Sequence, residues 1–233
     1  MPSKAQHMAS RRRPRSRSSS RGLRWLWPSL LLVLLAVVGL SLSRRRSQPA
    51  PELRVGIVAG HWQYDAGAVC PDGLSEVDIT LPVARRVAEL LQAQGYQAEV
   101  LPEYYDRLGS YRALAFVSLH ADSCIPELSG FKIAGRSSGP AGRESAALAE
   151  SLRRAYAAFT GLAYHENTIT HDMTQYHAFA RLESHTPAAI VELGFMGGDR
   201  ELLTARQDQA ARGIAEGVLA FLRARPTPDS GGS

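Results

Sequence analysis

Apolar positions along this chain fall into two kinds of run. Short runs rich in β-branched residues occupy residues 53–59 (LRVGIVA), 98–101, 113–119 (ALAFVSL), 131–134 and 188–193 (AAIVEL), and they predict strands. Between them, apolar residues recur at helical spacing. Ser75 and Asp78 resemble a capping box and predict a helix from there to about residue 94, closed by Gly95. Pro82 lies inside that span and either starts its regular part or kinks it. A second helix is predicted over 143–159, with Ala147, Leu148, Leu152, Ala155 and Tyr156 on one face. A long closing helix is predicted over 200–223, its buried stripe being Leu202, Leu203, Ala210, Ile214, Val218 and Leu222. No repeat is visible. Strands alternating with helices predict a single α/β domain with a mostly parallel, helix-flanked sheet.

The first fifty residues follow another pattern. Residues 25–42 (WLWPSLLLVLLAVVGLSL) carry no charge over 18 positions, near the lower limit for crossing a ~30 Å hydrocarbon layer. Trp25 and Trp27 stand at one end, where indoles favour the membrane interface. Eight bases precede the run and Arg44, Arg45 and Arg46 follow it, which predicts a cytoplasmic N-terminus and an exported remainder. The rival is a cleaved signal peptide, since Ser41 and Ser43 put small residues where a peptidase acts, although arginines directly after that point disfavour it. A buried core helix fits least, because nothing polar marks a solvent face. The expected layout is a basic, disordered cytoplasmic tail (1–24), a transmembrane helix or signal core (25–42), a linker (43–52), a catalytic domain (53–225) and a Pro/Gly/Ser-rich disordered tail (226–233).

Charge sharpens this division. The chain has 27 Lys and Arg against 22 Asp and Glu, a net of +5. Residues 1–51 hold eleven of those bases and no acid, which leaves 16 bases against 22 acids beyond them, a net of −6. The basic pole is therefore a topology signal. The serine-interleaved arginines of 11–24 lack the aromatic interleaving of a nucleic-acid surface and read as a segment drawn to anionic head groups. No nucleic-acid partner is expected. With 45% hydrophobic and 21% charged residues, the body has the composition of a folded domain.

Three predicted strands end in ionisable residues: His61, His120 and Glu192. Ligands of open α/β sheets bind outside the carboxyl ends of the strands. Glu192 interrupts an apolar run and needs a partner or a task, and Glu76 stands at the start of the first helix. Two histidines and one carboxylate with an open fourth position form a common catalytic zinc shell, and a further carboxylate can act as general base. Plainer readings stand beside this one. His61 could be a core histidine, Glu76 could favour a helix N-terminus, and Glu192 could pair with Arg107 or Arg112. Cys70 and Cys124, the only cysteines, each lie just beyond a proposed ligand segment, which in an exported domain favours a disulfide. The competing arrangement is a closed structural zinc site of His61, Cys70, His120 and Cys124. Residues 135–139 fit G-x-S-x-G, but Pro140 and Gly142 stand where a helix should begin, so they read as a turn. His171-Asp172 and Tyr176-His177 lie in a polar stretch that reads as surface loop; lining of a substrate groove and His171 as a competing ligand are the other options. His165, His177 and His185 receive no role.

Four separated stretches together carry a family resemblance. V-A-G-H-W-Q-Y-D-A-G-A with G-L-S-E at 73–76, S-L-H-A-D at 118–122, G-F at 130–131, and A-I-V-E-L-G-F-M followed by E-L-L at 201–203 resemble, in order, the zinc-dependent N-acetylmuramoyl-L-alanine amidases of the amidase-3 type. The similarity runs over roughly 54–222. It implies His61, Glu76 and His120 as ligands of one Zn2+ per chain, Glu192 as catalytic carboxylate, and hydrolysis of the bond between N-acetylmuramic acid and L-alanine in peptidoglycan. A zinc peptidase acting on the stem peptide and a non-catalytic wall-binding domain are the alternatives. Three departures stand out: Trp62-Gln63 replaces two glycines, Gly198-Asp199 replaces a usual Asn, and 102–112 is shorter than the family's Thr-Arg region, with Arg107 and Arg112 as its bases. An acidic body does not suit electrostatic capture of an anionic wall, so recognition is expected to rest on groove contacts beside the metal.

Overall fold

The computed structural model describes residues 53–225. Five strands, β1 (Arg54–Ala59), β2 (Gln97–Leu101), β3 (Ala115–Asp122), β4 (Lys132–Gly135) and β5 (Ala188–Phe195), form one sheet in the order β2-β1-β3-β5-β4. All neighbours are parallel except β4, which runs antiparallel to β5 at the edge. The α/β, mostly parallel sheet expected from the strand–helix alternation is therefore present. The apolar run of 25–42 and the tail of 226–233 lie outside the described residues, and among the described residues no helix is long and apolar enough to cross a membrane.

One sheet face carries Val55, Ile57, Ala59, Val117, Leu119, Ala121, Val191 and Leu193 and packs against three long helices, α1 (Val77–Gln92), α2 (Gly142–Thr160) and, further along, α6 (Gln207–Ala224). The other face carries Val58, Phe116, Ala134, Ala188 and Ile190. It is covered by Leu101, Leu108 and Tyr111, and by two short helices, α3 (His171–Thr174) and α4 (His177–Arg181), through Met173, Ala178 and Phe179. Side chains alternate faces along a strand, so the positions that follow Phe116 and Ile190 on this second face are Ser118, His120 and Glu192. The candidate chemistry lies on the thinly covered side.

The first helix begins where its sequence suggests, with only half of the expected capping box: no side chain caps its N-terminus, where Glu76 is the N-cap residue. Asp78 Oδ2 accepts from Ser75 N at 3.0 Å and from Ser75 Oγ at 2.5 Å, so the carboxylate reaches back while the serine hydroxyl donates. Pro82 sits inside α1 on the exposed side, where the carbonyl it leaves unpaired can meet water. The expected single closing helix is two: α5 (Arg200–Thr204) and α6. Ala205 N and Arg206 N both donate to Glu201 O at 2.9 and 3.1 Å, and the Gln207 side chain caps Leu203 O at 2.8 Å. These bonds end α5 and let the chain turn before α6.

Helices α2 and α6 approach closely because α6 carries Gly213 and Gly217 at the crossing. A Cβ at Gly217 would lie 2.7 Å from Leu152 Cα, which is backbone and cannot rotate away. Tyr156, fully buried, threads past Gly213 to donate to Leu193 O at 2.6 Å and joins the helix pair to β5. Ala is ordinarily the better helix former, by about 1 kcal/mol. Gly217→Ala is nevertheless expected to destabilise the protein by about 1–3 kcal/mol through overpacking, read as a lowered thermal unfolding midpoint; an unchanged or raised midpoint would show that the helices can part at no cost.

Candidate metal centre

At the end of β1 the chain turns sharply, with Gly60 N donating to Leu119 O at 2.9 Å and Trp62 N to Ala59 O at 3.1 Å. The turn holds His61 at φ 66° and Gln63 at φ 63°, both left-handed. Gln63 thus holds a conformation that suits glycine. Gly60 is a close-approach position, since a Cβ there would lie 2.7 Å from His120 Nδ1. The loop then returns through Gly67, pairs Val69 with Ser75, and delivers Glu76 to the start of α1. His120 lies within β3 rather than just after it, beside an irregularity in the β3–β5 register between His120 and Asp122.

The structure brings His61, Glu76 and His120 together: each offers a donor atom within 4.8 Å of the others. Glu76, 5% exposed, has Oε2 at 3.3 Å from His61 Nε2 and Oε1 at 3.0 Å from His120 Nδ1. Tetrahedral zinc with bonds of ~2.0 Å sets neighbouring donors about 3.3 Å apart, and each imidazole lies near that spacing from one of the two Glu76 oxygens. The outer face of each ring meets a carboxylate. His61 Nδ1 is 2.5 Å from Asp65 Oδ1, and His120 Nε2, enclosed and without a hydrogen bond, is 3.5 Å from Glu103 Oε2. Burial works to raise Glu76, but the two imidazoles hold it well below the usual carboxylate range. The Glu76 contact, working against burial, pushes His61 up to about 9. A pocket that favours positive charge on both rings also favours a cation between them.

Glu192 is the strand neighbour of His120 on β5, and Lys132 is the neighbour of Glu192 on β4, so the three residues form one row across the sheet. Glu192 Oε2 is buried and has no partner. Lys132 Nζ pairs instead with Asp122 and lies 4.9 Å above the Phe195 ring. Among the described residues, no hydrogen bond or ion pair joins Glu192 to an arginine. Burial pushes its carboxyl up to about 7, with nearby Glu76 and Asp122 adding to the rise and His120 and Lys132 opposing it.

Sequence reasoning missed Glu103. It is 5% exposed, in the loop after β2, and its Oε2 accepts from His61 N at 2.9 Å. Its Oε1 accepts from Tyr176 Oη at 3.0 Å and lies 2.7 Å from His177 Nε2, while Ser118 Oγ donates to Tyr176 Oη at 2.9 Å. Burial favours a neutral Glu103, but the bond from His177 and the charge of His120 hold it at about 2. The polar stretch of 171–177 therefore divides: His171 and Asp172 are exposed surface, whereas Tyr176 and His177 turn inward. Asp199, at the position noted above as departing from the family, is a buried tie that accepts from Gly130 N and Phe195 N at 2.9 Å each.

Cys70 and Cys124 are joined, with Cα atoms 5.4 Å apart, so neither sulfur is available to a closed four-ligand zinc site. The bridge staples the loop before Glu76 to the loop after β3. The turn at 135–139 lies at the end of antiparallel edge strand β4, beside the start of β5 and so at the other end of the strands from the histidines, and six residues separate Gly135 from Gly142, where α2 starts. It is not a strand-to-helix elbow.

The buried Glu192 carboxyl predicts its own stability signature. Its folded value of about 7 lies above the ordinary 4.5, so the unfolded chain loses this proton first as pH rises. The resulting destabilisation grows from about pH 4.5 and is complete above pH 7, at about 3 kcal/mol. Metal-free Glu192→Gln is expected to exceed wild type in urea-unfolding free energy by that amount at pH 9, with the gap shrinking below about 1 kcal/mol near pH 5. A gap independent of pH would show that Glu192 is not the buried acid described here.

Comparisons with known proteins agree with this geometry. The family model for N-acetylmuramoyl-L-alanine amidase, Amidase_3, matches residues 55–223. The amidase AmiC2 of Nostoc punctiforme is 31% identical over 75% of this chain and 99% of that chain, with a TM-score of 0.56. The catalytic domain of CwlV from Bacillus (Paenibacillus) polymyxa is 25% identical over 74% of this chain and 99% of that one, with a TM-score of 0.57. The amidase Ami1 from Mycobacterium smegmatis shares the fold at 21% identity and a TM-score of 0.59, covering 75% of this chain and 99% of its own. No curated protein sequence matches significantly. With the family model spanning nearly the whole sheet-and-helix domain, the chain belongs to the Amidase_3 family of N-acetylmuramoyl-L-alanine amidases.

Proposed function

We propose that this peptidoglycan amidase is zinc-dependent and cleaves the amide between the lactyl group of N-acetylmuramic acid and L-alanine, with His61, Glu76 and His120 holding the ion and Glu192 moving the proton. The observation that carries the reading is the juxtaposition of a three-donor cluster with a buried carboxyl whose Oε2 has no partner, on neighbouring strands. Zinc in such a shell supplies Lewis acidity, polarising a carbonyl and lowering the pKa of water toward ~7.

Glu192 takes one proton from the attacking water as the new C–O bond forms. It returns that proton to the alanine nitrogen as the C–N bond breaks, leaving a lactyl carboxylic acid and a free amine; the acid's proton, the second from the water, then passes to the amine to give carboxylate and ammonium. A carboxyl near neutrality suits both transfers, and burial supplies that value. The Lys132–Asp122 pair occupies the neighbouring charges and leaves Glu192 as the unpartnered acid of the row.

The proposal extends to the segments outside the described residues. Residues 25–42 tether the enzyme to the membrane, and 53–225 work beyond the cytoplasm, with the acidic body facing the wall. Full-length protein is expected in the membrane fraction; recovery only of a soluble form beginning near residue 44 would replace the tether with a cleaved signal.

Purified peptidoglycan treated with the enzyme is expected to release peptides beginning with free L-alanine; shortened peptides still attached to muramic acid would mean a peptidase. His61→Ala and His120→Ala are each expected to lose bound zinc. Glu192→Gln is expected to keep zinc and lose turnover by roughly 10²–10⁴-fold, and wild-type activity in that variant would remove Glu192 from the mechanism.

A further inference from the structure

We infer that Glu103 is a positioning residue of the metal centre, an outer carboxylate that orients both histidine ligands. The inference rests on the zinc reading above and adds to it a residue from a part of the chain that holds no ligand. Glu103 comes from the loop after β2, and its carboxylate is aimed inward, where the two histidine-bearing segments meet.

Glu76 lies against His120 Nδ1, the nitrogen on the ligand side of the ring. An imidazole that gives Nδ1 to a metal carries its proton on Nε2, and that proton needs an acceptor when buried. His120 Nε2 is enclosed and makes no hydrogen bond, and Glu103 Oε2 faces it at 3.5 Å. An approach of about 0.6 Å brings the pair to an ordinary N–H···O distance. The same Oε2 accepts from His61 N at 2.9 Å, and Glu103 N in turn donates to Trp62 O at 3.1 Å. These two bonds clasp the turn in which His61 holds its left-handed backbone.

The other carboxylate oxygen is fixed from behind. Tyr176 Oη and His177 Nε2 both engage Oε1, and Ser118 engages Tyr176 from β3 itself. With Oε1 occupied, Oε2 points at the histidines. A carboxylate is required there, because both oxygens accept, Oε1 from Tyr176 Oη and Oε2 from the His61 amide, and an amide would set a donor NH2 against one of the two. Asp65 plays the corresponding part for the outer nitrogen of His61, but it stands half-exposed and acts on one ring only.

The test is the zinc dissociation constant of the full-length protein, measured by competition with a chromogenic chelator, for wild type and Glu103→Gln. The expected result is a 10- to 100-fold weaker constant in the variant, with the metal-free unfolding midpoint little changed. Equal affinity in the two proteins overturns the assignment of Glu103 while leaving the ligands in place. A wild type that takes up no zinc overturns the metal reading itself. Should the variant fail to fold, or its metal-free midpoint shift, the ¹⁵N-histidine spectrum of zinc-loaded wild type decides. A proton on His120 Nε2 protected from solvent exchange supports the assignment, and a ring protonated at Nδ1 or exchanging freely overturns it.

Discussion

The Glu76 carboxylate is where the separate parts of this domain are made to agree. It is buried at the first turn of α1 and receives four contacts: His61 Nε2 and Ala68 N on Oε2, His120 Nδ1 and Ala121 N on Oε1. Those contacts come from the end of β1, the loop before α1 and the carboxyl end of β3. A buried carboxylate is tolerable only when its lone pairs are used, so the loop, the helix start and the strand must all close around it. Thr80, one helical turn on, adds a bond to Gly60 O at 2.8 Å and locks the same corner from the helix side. The register of the site follows from satisfying one anion.

Much of this was legible in sequence because it was carried by short, local signals. The apolar runs located all five strands, and Ser75 with Asp78 marked the start of α1. The four stretches quoted above lie where the sheet brings His61, Glu76, His120 and Glu192 together. What remained hidden depended on which way side chains face. AAIVEL reads as one apolar run, and only the sheet separates Ala189 and Val191, under the long helices, from Ile190 and Glu192 on the thin side. His120 read as a residue after a strand, whereas it is inside β3, because the register irregularity beside it is invisible to periodicity.

Glu103 was illegible for a different reason. It sits in P-E-Y-Y-D, a stretch with no period and no motif, and its partners are 42 and 73–74 residues away in sequence. No local rule distinguishes it from a solvated loop acid. Tyr176 and His177 were visible as a polar pair, but the signal that turns them inward is Phe179 and Ala178 packing on the second face, a tertiary fact. The expected single closing helix failed at Ala205 and Arg206 because hydrogen-bond capture by Glu201 O and Gln207 overrode a continuous apolar stripe.

The Cys70–Cys124 bridge also changes the topology of the molecule as a covalent object. The ring it closes runs from residue 70 to residue 124 and contains Glu76, Glu103 and His120, while His61 and Glu192 lie on the two arms outside it. A single backbone scission anywhere between residues 71 and 123 opens the ring without dividing the molecule. Both arms and every ring residue remain in one covalent species. The nicked chain would come apart only after a second event, either reduction of the bridge or a cut outside the ring. For a hydrolase whose candidate metal-binding residues are spread across three segments, the bridge is redundancy against scission of its own backbone.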